Sequence, residues 1–267
     1  MKRKSISLLI ACLASLPIIA LMSGCSVATG STKHVTSTVD YLYPNMNDPI
    51  VKPGIPVLAL PLHVGIAFVP GEGGGNYGRG LPKFNVHSPA SDSVFVLTEQ
   101  KKTALMQEVA DHFRTYAFVK AIEIIPSAEL TPRGSFADLD RIRTMHGVDV
   151  IALLSYDQAQ FTDEGLLSLT YWTIVGAYVI PGEKNDTHTM LDAVIYDIKS
   201  RKMLFRAPGT SHIKGSATPT NLSEQLRADS DKGFTEAAKS MIINLDEQLA
   251  RFKEKVKENP TEYKVIK

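Results

Sequence analysis

Cysteine is scarce in this chain of 267 residues, which contains only Cys12 and Cys25. Both lie within the first 25 residues, so the remainder of the chain cannot form a disulfide bond. The remainder also has no thiolate nucleophile and no cysteine ligand for a metal ion. The stability of the folded region must therefore come from packing and hydrogen bonding.

A large excess of charge of one sign is also missing. The formal net charge is +1, and it becomes −2 when residues 1–24, which hold three basic and no acidic residues, are left out. A chain this close to neutrality lacks the concentrated positive charge that binds phosphate backbones. We therefore expect no nucleic-acid partner.

The apolar run Ile6 to Leu21 is too short for a comfortable membrane span of ~20 residues, and Pro17 interrupts it. Basic residues at positions 2–4 precede the run, and the small residues at positions 23–24 stand directly before Cys25. This order of basic, apolar and small residues is typical of a secretory signal peptide. Residues 1–24 are therefore predicted to be a signal peptide.

The stretch Leu21-Met22-Ser23-Gly24-Cys25 resembles the bacterial lipobox, with Met22 where leucine is usual. The resemblance implies that the Cys25 thiol receives a diacylglycerol and that Cys25 becomes an acylated N-terminus, since stable anchoring needs more than one lipid chain. Ser26, rather than aspartate, follows, as in lipoproteins sorted to the outer membrane. We expect lipidation at Cys25 and a location on the periplasmic face of that membrane. The alternative is a buried cysteine after a signal-like run.

Residues 25–54 are rich in Ser, Thr, Gly, Asn and Pro and show no sustained period of 2 or 3.6 residues. They predict a lipidated N-terminus with a flexible tether, in which the apolar and aromatic residues 39–44 dock on the domain. Residues 55–258 are predicted to form a periplasmic α/β domain, and residues 259–267 a polar tail.

Strand and helix signals alternate along the first half of the domain. Strands are predicted at 57–60 and 62–69, interrupted by Pro56 and Pro61. The next elements are a helix capped by Thr98, a strand over Phe118 to Ile125, a helix from Ser135 to Gly147, and a strand over Val148 to Phe161. This order predicts the α/β (α+β) class, as a single three-layer-like domain with a mixed β-sheet, two or three packing helices and a long C-terminal helix.

The second half is predicted to contain a β-hairpin and that long helix. Residues 197–202 form a polar turn between strands at 191–196 and 203–207, and Pro208-Gly209 is expected to end the pairing or mark an edge. The helix is predicted from Leu222, with a break near Gly233. Its apolar stripe predicts packing on the sheet, with pairing to a partner helix as the alternative: Phe234, Ala238, Met241, Leu245, Leu249, Phe252 and Val256.

Residues 166–180 have strong strand propensity, with apolar residues at both alternating sets of positions. This pattern predicts a central strand buried on both faces. A membrane-inserting hairpin with residues 190–198 is the alternative, because a spanning strand needs only ~9–11 residues. Asp192 and Asp197 interrupt the apolar stripe of the second strand, which favours the buried sheet.

The sequence contains no motif that identifies a catalytic or cofactor site. Residues 73–78 match G-x-G-x-x-G, but Leu81-Pro82-Lys83 follows rather than a helix, so a loop is predicted instead of a dinucleotide site. None of the seven histidines has a recognisable metal-ligand spacing. His188 and His212 flank the predicted hairpin and can approach each other for a metal or acid–base role. We assign no catalytic residue, cofactor or metal site from the sequence.

Three stretches together resemble the rhombotail (rhombotarget) lipoproteins: the lipobox, residues 41–44 (YLYP), and residues 171–182 (YWTIVGAYVIPG) followed by 192–197 (DAVIYD). Some members of that family carry a glycine, apolar and basic C-terminal tail that a rhomboid-type protease processes. Residues 263–267 (YKVIK) do not match it, so the resemblance does not support carrying this processing over, and the family supplies no catalytic residue to transfer.

A more distant similarity is to the periplasmic α/β domain of curli-secretion and penicillin-binding-protein-activator lipoproteins. It rests on residues 57–61 (VLALP), 147–152 (GVDVIA) and 197–200 (DIKS). Stretches this short imply a fold and leave the function open.

The expected function is that of an outer-membrane-anchored periplasmic lipoprotein, a non-enzymatic module that binds or positions an envelope protein partner. One alternative is an oligomeric secretion-channel component that uses the hairpin of residues 166–198, which would make the chain a homo-oligomer. Another is an envelope hydrolase with a dispersed site, which requires a concave polar cluster with His188 or His212 near a carboxylate.

Overall fold

A computed structural model of the chain describes residues 29–35, 37–44, 53–71, 97–164, 183–217 and 221–267. Within these ranges the elements are β1 Thr29–Val35, α1 Thr38–Leu42, β2 Val57–Ala59, β3 Leu62–Phe68, α2 Glu99–Phe113, β4 Val119–Ile125, a 3₁₀ helix Ser127–Glu129, α3 Ser135–His146, β5 Val150–Glu164, β6 Glu183–Asp197, β7 Lys202–Ala217, α4 Leu222–Glu258 and β8 Lys264–Ile266.

The main sheet is mixed and has the strand order β4-β3-β5-β6-β7. Strand β3 lies parallel to β4 and β5, whereas β5, β6 and β7 form an antiparallel meander. One edge of the long strand β5 pairs with β3 along residues 150–154 and with β1 along residues 157–163. Strands β2 and β8 form a separate parallel pair.

Helices cover both faces of the main sheet, which confirms the predicted three-layer α/β domain with a mixed sheet and a long C-terminal helix. On one face, α2 and α4 bury residues such as Met106, Leu154 and Met241. On the other face, α1 and α3 pack around Leu139 and Leu153. Parallel strands joined by helical crossovers need both faces covered, and this arrangement provides that cover. Within the described part of the chain, none of the helices has the length and apolar character that crossing a membrane requires.

The predicted signals at the helix ends are confirmed. Thr98 caps α2, with its side-chain oxygen accepting a hydrogen bond from Lys101 N at 3.3 Å. Gly147 follows α3 in the left-handed conformation, with φ 66°, where glycine has no steric penalty. The predicted interruption between β2 and β3 is also present, at the cis peptide bond Leu60-Pro61.

The prediction that residues 25–54 form a flexible tether is wrong for two parts of that segment. Strand β1 pairs with β5 beyond the end of β3, where it satisfies backbone groups of β5 that would otherwise lie at an open edge. Helix α1 packs on the domain with Tyr41 and Leu42 buried. The predicted docking of residues 39–44 is thereby confirmed for α1.

The buried carboxylate of Asp138 holds α1 against α3. It accepts hydrogen bonds from Tyr41 Oη at 2.8 Å, from Thr131 N at 2.7 Å and from Arg141 Nε at 3.1 Å. Burial raises the pKa of Asp138, but the hydrogen bonds from Arg141, Thr131 and Tyr41 outweigh that effect and hold the pKa below its usual value. Asp138 is therefore an ionised anchor as well as a residue of the first turn of α3.

The prediction of a polar tail at residues 259–267 is wrong for its second half. Tyr263 is 2% exposed and packs edge-on against Phe252, with ring centroids 5.4 Å apart. Strand β8 then pairs with β2, and the carbonyl of Ile266 accepts a hydrogen bond from Leu60 N at 2.8 Å. The buried Tyr263 and the pairing of β8 with β2 together attach this segment to the domain.

Helix α4 runs unbroken through Gly233, so the predicted break is wrong. A side chain at Gly233 would place its Cβ 2.6 Å from Thr189 Oγ1 on the sheet, and Ser211 Oγ donates a hydrogen bond to the Gly233 carbonyl at 2.7 Å. At Gly209 of β7, a Cβ would collide with the backbone of α4 at Ala237 and Met241. Both glycines permit close approach of helix and sheet.

Buried polar side chains fix the N-terminal half of α4 on the sheet. Gln158 Nε2 donates to Thr189 Oγ1 at 2.8 Å, and Gln160 Nε2 donates to Ser230 Oγ at 2.9 Å and to the Leu226 carbonyl at 3.0 Å. Both glutamines are only 4% exposed. Hydrogen bonds of this kind fix orientation because a buried amide left without a partner costs ~1–3 kcal/mol.

Residues 166–180, which the sequence predicts as a buried central strand, lie outside the described residues. Residues 190–198, the second strand of the alternative membrane-inserting hairpin, belong almost wholly to β6, which pairs with β5 along one edge and with β7 along the other. The predicted hairpin of 191–196 with 203–207 is confirmed, and β7 continues through Pro208 and Gly209 as an edge strand of the sheet.

The contact at Gly209 gives a direct test of the packing. Replacement Gly209→Ala should lower the free energy of unfolding by about 1–3 kcal/mol, because the added methyl group meets helix backbone that cannot move aside. Gly54→Ala is the matched control, since its nearest neighbour would be Ser200 Cβ at 3.5 Å, and it should change stability by less than ~0.5 kcal/mol. Urea denaturation measures both, and equal effects would contradict the contact.

Candidate functional site

A cavity of about 780 Å³ lies between the sheet and helices α2 and α4, beside the β2–β8 pair. Its volume lies within the ~300–1,000 Å³ that is typical of small-molecule sites, which are also mostly apolar. The sheet contributes Val64, Ile66, Val150, Ala152, Ala193 and Ile195, and the helices contribute Val109, Phe113, Leu245, Leu249, Phe252 and Val256. Aliphatic and aromatic side chains therefore form most of the wall.

The cavity follows from the way α4 crosses the sheet. The helix touches the sheet closely at Gly209 and Gly233, whereas its later residues Leu245 and Leu249 line the cavity. Small side chains on the sheet, such as Ala152, leave additional space below the helix. Helix and sheet are thus in contact at one end of the domain and enclose a hollow at the other.

Lysines form part of the cavity lining where it reaches the protein surface. Four exposed residues at the C-terminal end of α4 and in the segment after it belong to the lining: Lys253, Lys257, Lys264 and Lys267. Lysine stems extend the apolar wall while the ammonium groups remain in water. The opening therefore combines an apolar approach with positive charge.

Neighbouring side chains hold two of these lysines in place. Lys253 Nζ lies 4.6 Å from the centre of the Phe118 ring and 5.0 Å from that of Tyr116, in cation–π contact. Lys257 Nζ pairs with Glu254 at 2.7 Å, which offsets part of its charge. An elongated apolar molecule with an anionic end would match this arrangement, with its chain in the cavity and its charged group among the lysines.

None of the histidines whose side chains the structure describes lines this cavity. Cys25, His87 and the glycine-rich residues 73–78 lie outside the described part of the chain. Three histidines each have a separate partner: His63 Nδ1 with the Gly147 carbonyl at 2.9 Å, His112 Nε2 with Asp246 at 2.9 Å, and His146 Nε2 with Glu129 at 2.6 Å.

The expected approach of His188 and His212 is confirmed. They are directly opposite each other on β6 and β7, with ring centroids 4.1 Å apart and planes inclined by 15°. His212 Nε2 lies 2.7 Å from Asp186 Oδ1. The cluster has the carboxylate neighbour that the hydrolase hypothesis requires. Both histidines are exposed and Asp186 is partly exposed, so within the described residues the cluster lies at the surface, where water screens charge.

No protein-family model matches this sequence, and no curated protein matches it either.

The sequence predicts several side chains that line the cavity, but it does not predict that a cavity exists. The apolar stripe of α4 predicts which side chains face the sheet, including Leu245, Leu249 and Phe252. A stripe does not reveal whether helix and sheet touch or stand apart. The available signal is the presence of small residues at the places where helix and sheet meet, Gly209 and Gly233 at one end and Ala152 and Ala193 at the other, together with five lysines after residue 252.

Proposed function

We propose that the protein is a lipid-anchored periplasmic binding module, held on the outer membrane through Cys25, whose cavity takes a long-chain amphiphile with an anionic end. The observation that carries this proposal is the apolar cavity of about 780 Å³ with four lysines at its opening. Burial of an acyl chain contributes ~0.8 kcal/mol per methylene, so a chain of ordinary lipid length binds without specific polar contacts. The lysines select a ligand with a negatively charged end and orient that end toward the opening.

The position of the cavity supports a ligand other than the lipid on Cys25. Thr29, the described residue nearest in sequence to Cys25, pairs with Asp163 near one end of β5, whereas Val150 at the other end lines the cavity. At ~3.3 Å per residue these two positions on β5 are separated by roughly 40 Å. The described chain therefore begins far from the cavity, which supports a separate amphiphile as its ligand.

A cavity-filling substitution tests the site. Ala152→Phe places a ring in the cavity, and we expect it to weaken binding of a fluorescent long-chain fatty acid by more than ~10-fold while leaving stability unchanged or raised by ~0.5–2 kcal/mol. The matched control is Ala159→Phe, on the same strand but on the opposite face. Fluorescence titration and thermal denaturation measure the two effects, and equal binding by both variants would refute the site.

The lysines are tested with the same probe. Lys257→Glu combined with Lys264→Glu should weaken fatty-acid binding but not binding of a long-chain alcohol, because only the acid carries a charge at neutral pH. Lys232→Glu combined with Lys239→Glu is the charge-matched control, because both lysines are exposed on α4 and neither lines the cavity. If the affinities for the fatty acid and the alcohol fall by the same factor, the lysines do not select an anion.

The anchor has its own test. Cys25→Ser removes the thiol that would receive the lipid, and we expect the variant in the soluble or inner-membrane fraction rather than in the outer membrane. Fractionation of cells with detection of the chain in each fraction measures this. Unchanged recovery in the outer membrane would contradict the lipid anchor and leave the cavity proposal standing.

A further inference from the structure

A second candidate site lies away from the cavity, on the opposite face of the sheet. Asp186 and His188 are two residues apart on β6 and therefore point to the same face, and His212 is the residue directly opposite His188 on β7. The ligand atoms of these three side chains all lie within 4.8 Å of one another. We propose that Asp186, His188 and His212 form a binding site for a Zn²⁺ ion.

The donor set selects the metal. Two imidazoles and one carboxylate are ligands that Zn²⁺ accepts at ~2.0–2.2 Å, whereas Mg²⁺ and Ca²⁺ prefer oxygen ligands alone. Three protein ligands leave a fourth tetrahedral position, which is filled by water or by a group from another molecule. All three side chains are at least partly exposed, so this position is open to solvent.

The strands keep the backbone of the site in place. Thr187 and Thr189, which alternate with the ligands on β6, are buried against α4, and Ile213 next to His212 is also buried. The ligand backbones are therefore fixed from the reverse side, and only exposed side chains need to rotate. His212 Nε2 and Asp186 Oδ1, now 2.7 Å apart, would separate by less than ~1 Å to admit an ion between them.

Asp186 supplies the negatively charged ligand of the cluster, and its Oδ1 lies 2.7 Å from His212 Nε2. Lys214, opposite Asp186 on β7, is the cation that faces the carboxylate from the neighbouring strand. Zn²⁺ would replace the proton on His212 Nε2, which requires the imidazole tautomer with its proton on Nδ1.

Calorimetric titration of the untagged full chain with Zn²⁺ alone tests the site. We expect one saturable Zn²⁺ per chain and a loss of affinity of at least ~10-fold in His188→Asn and in His212→Asn, since even groups outside the ligand set change metal affinity by that factor. Asp186→Asn should also weaken binding, and Mg²⁺ should not compete.

The matched control is His112→Asn. His112 is exposed and faces Asp246 at 2.9 Å in the same way that His212 faces Asp186, but its pair is not part of the three-ligand cluster. Its loss should leave Zn²⁺ affinity unchanged, and NMR signals of the His188 and His212 ring nitrogens should shift with Zn²⁺ while those of His112 do not. Absence of saturable binding, or equal affinity in the double variant of His188 and His212, would overturn the proposal.

Discussion

The close contact between α4 and the sheet determines the rest of this structure. At Gly209 and Gly233 the helix comes so near to β6 and β7 that no side chain fits between them. The buried amides of Gln158 and Gln160 then fix the direction of the helix. Because a long helix pinned at one end cannot follow a twisted sheet along its whole length, its remaining turns stand off and enclose the cavity.

The two faces of the sheet consequently carry different chemistry. The face under α4 and α2 provides an apolar hollow with a basic opening, suited to an amphiphile. The other face is covered by α3 and α1 over one half of the sheet, and beyond them it exposes Asp186, His188 and His212 to solvent. Strand β5 runs from the cavity to the other end of the sheet. Its N-terminal half lines the cavity, and its C-terminal half pairs with β1.

The sequence predicts local structure well because its signals are local. Thr98 and Gly147 mark helix ends, and the polar turn at 197–202 marks a hairpin. The register of that hairpin shifts by one residue between Ile195 and Tyr196, and this shift brings His188 opposite His212. Non-local contacts escape this reasoning: β1 has no strong strand propensity and forms by pairing with an open edge of β5. The sequence predicts a helix break at Gly233 because glycine is typical of flexible positions. Glycine is also typical of places where a helix packs closely on a sheet, which is its role here. The sequence does contain a signal for Asp186. It lies two positions before His188 on one strand, so the two side chains share a face of the sheet.

The most direct test of the binding function is mass spectrometry of the organic-solvent extract of the purified full chain. A lipid on Cys25 would be covalently attached and stay with the protein, so the extract reports only molecules held by packing and charge. We expect one acyl-chain amphiphile with an anionic end per chain, and we expect the Ala152→Phe variant to lack it. An extract without such a molecule, from a chain that also fails to bind long-chain fatty acids, would contradict it.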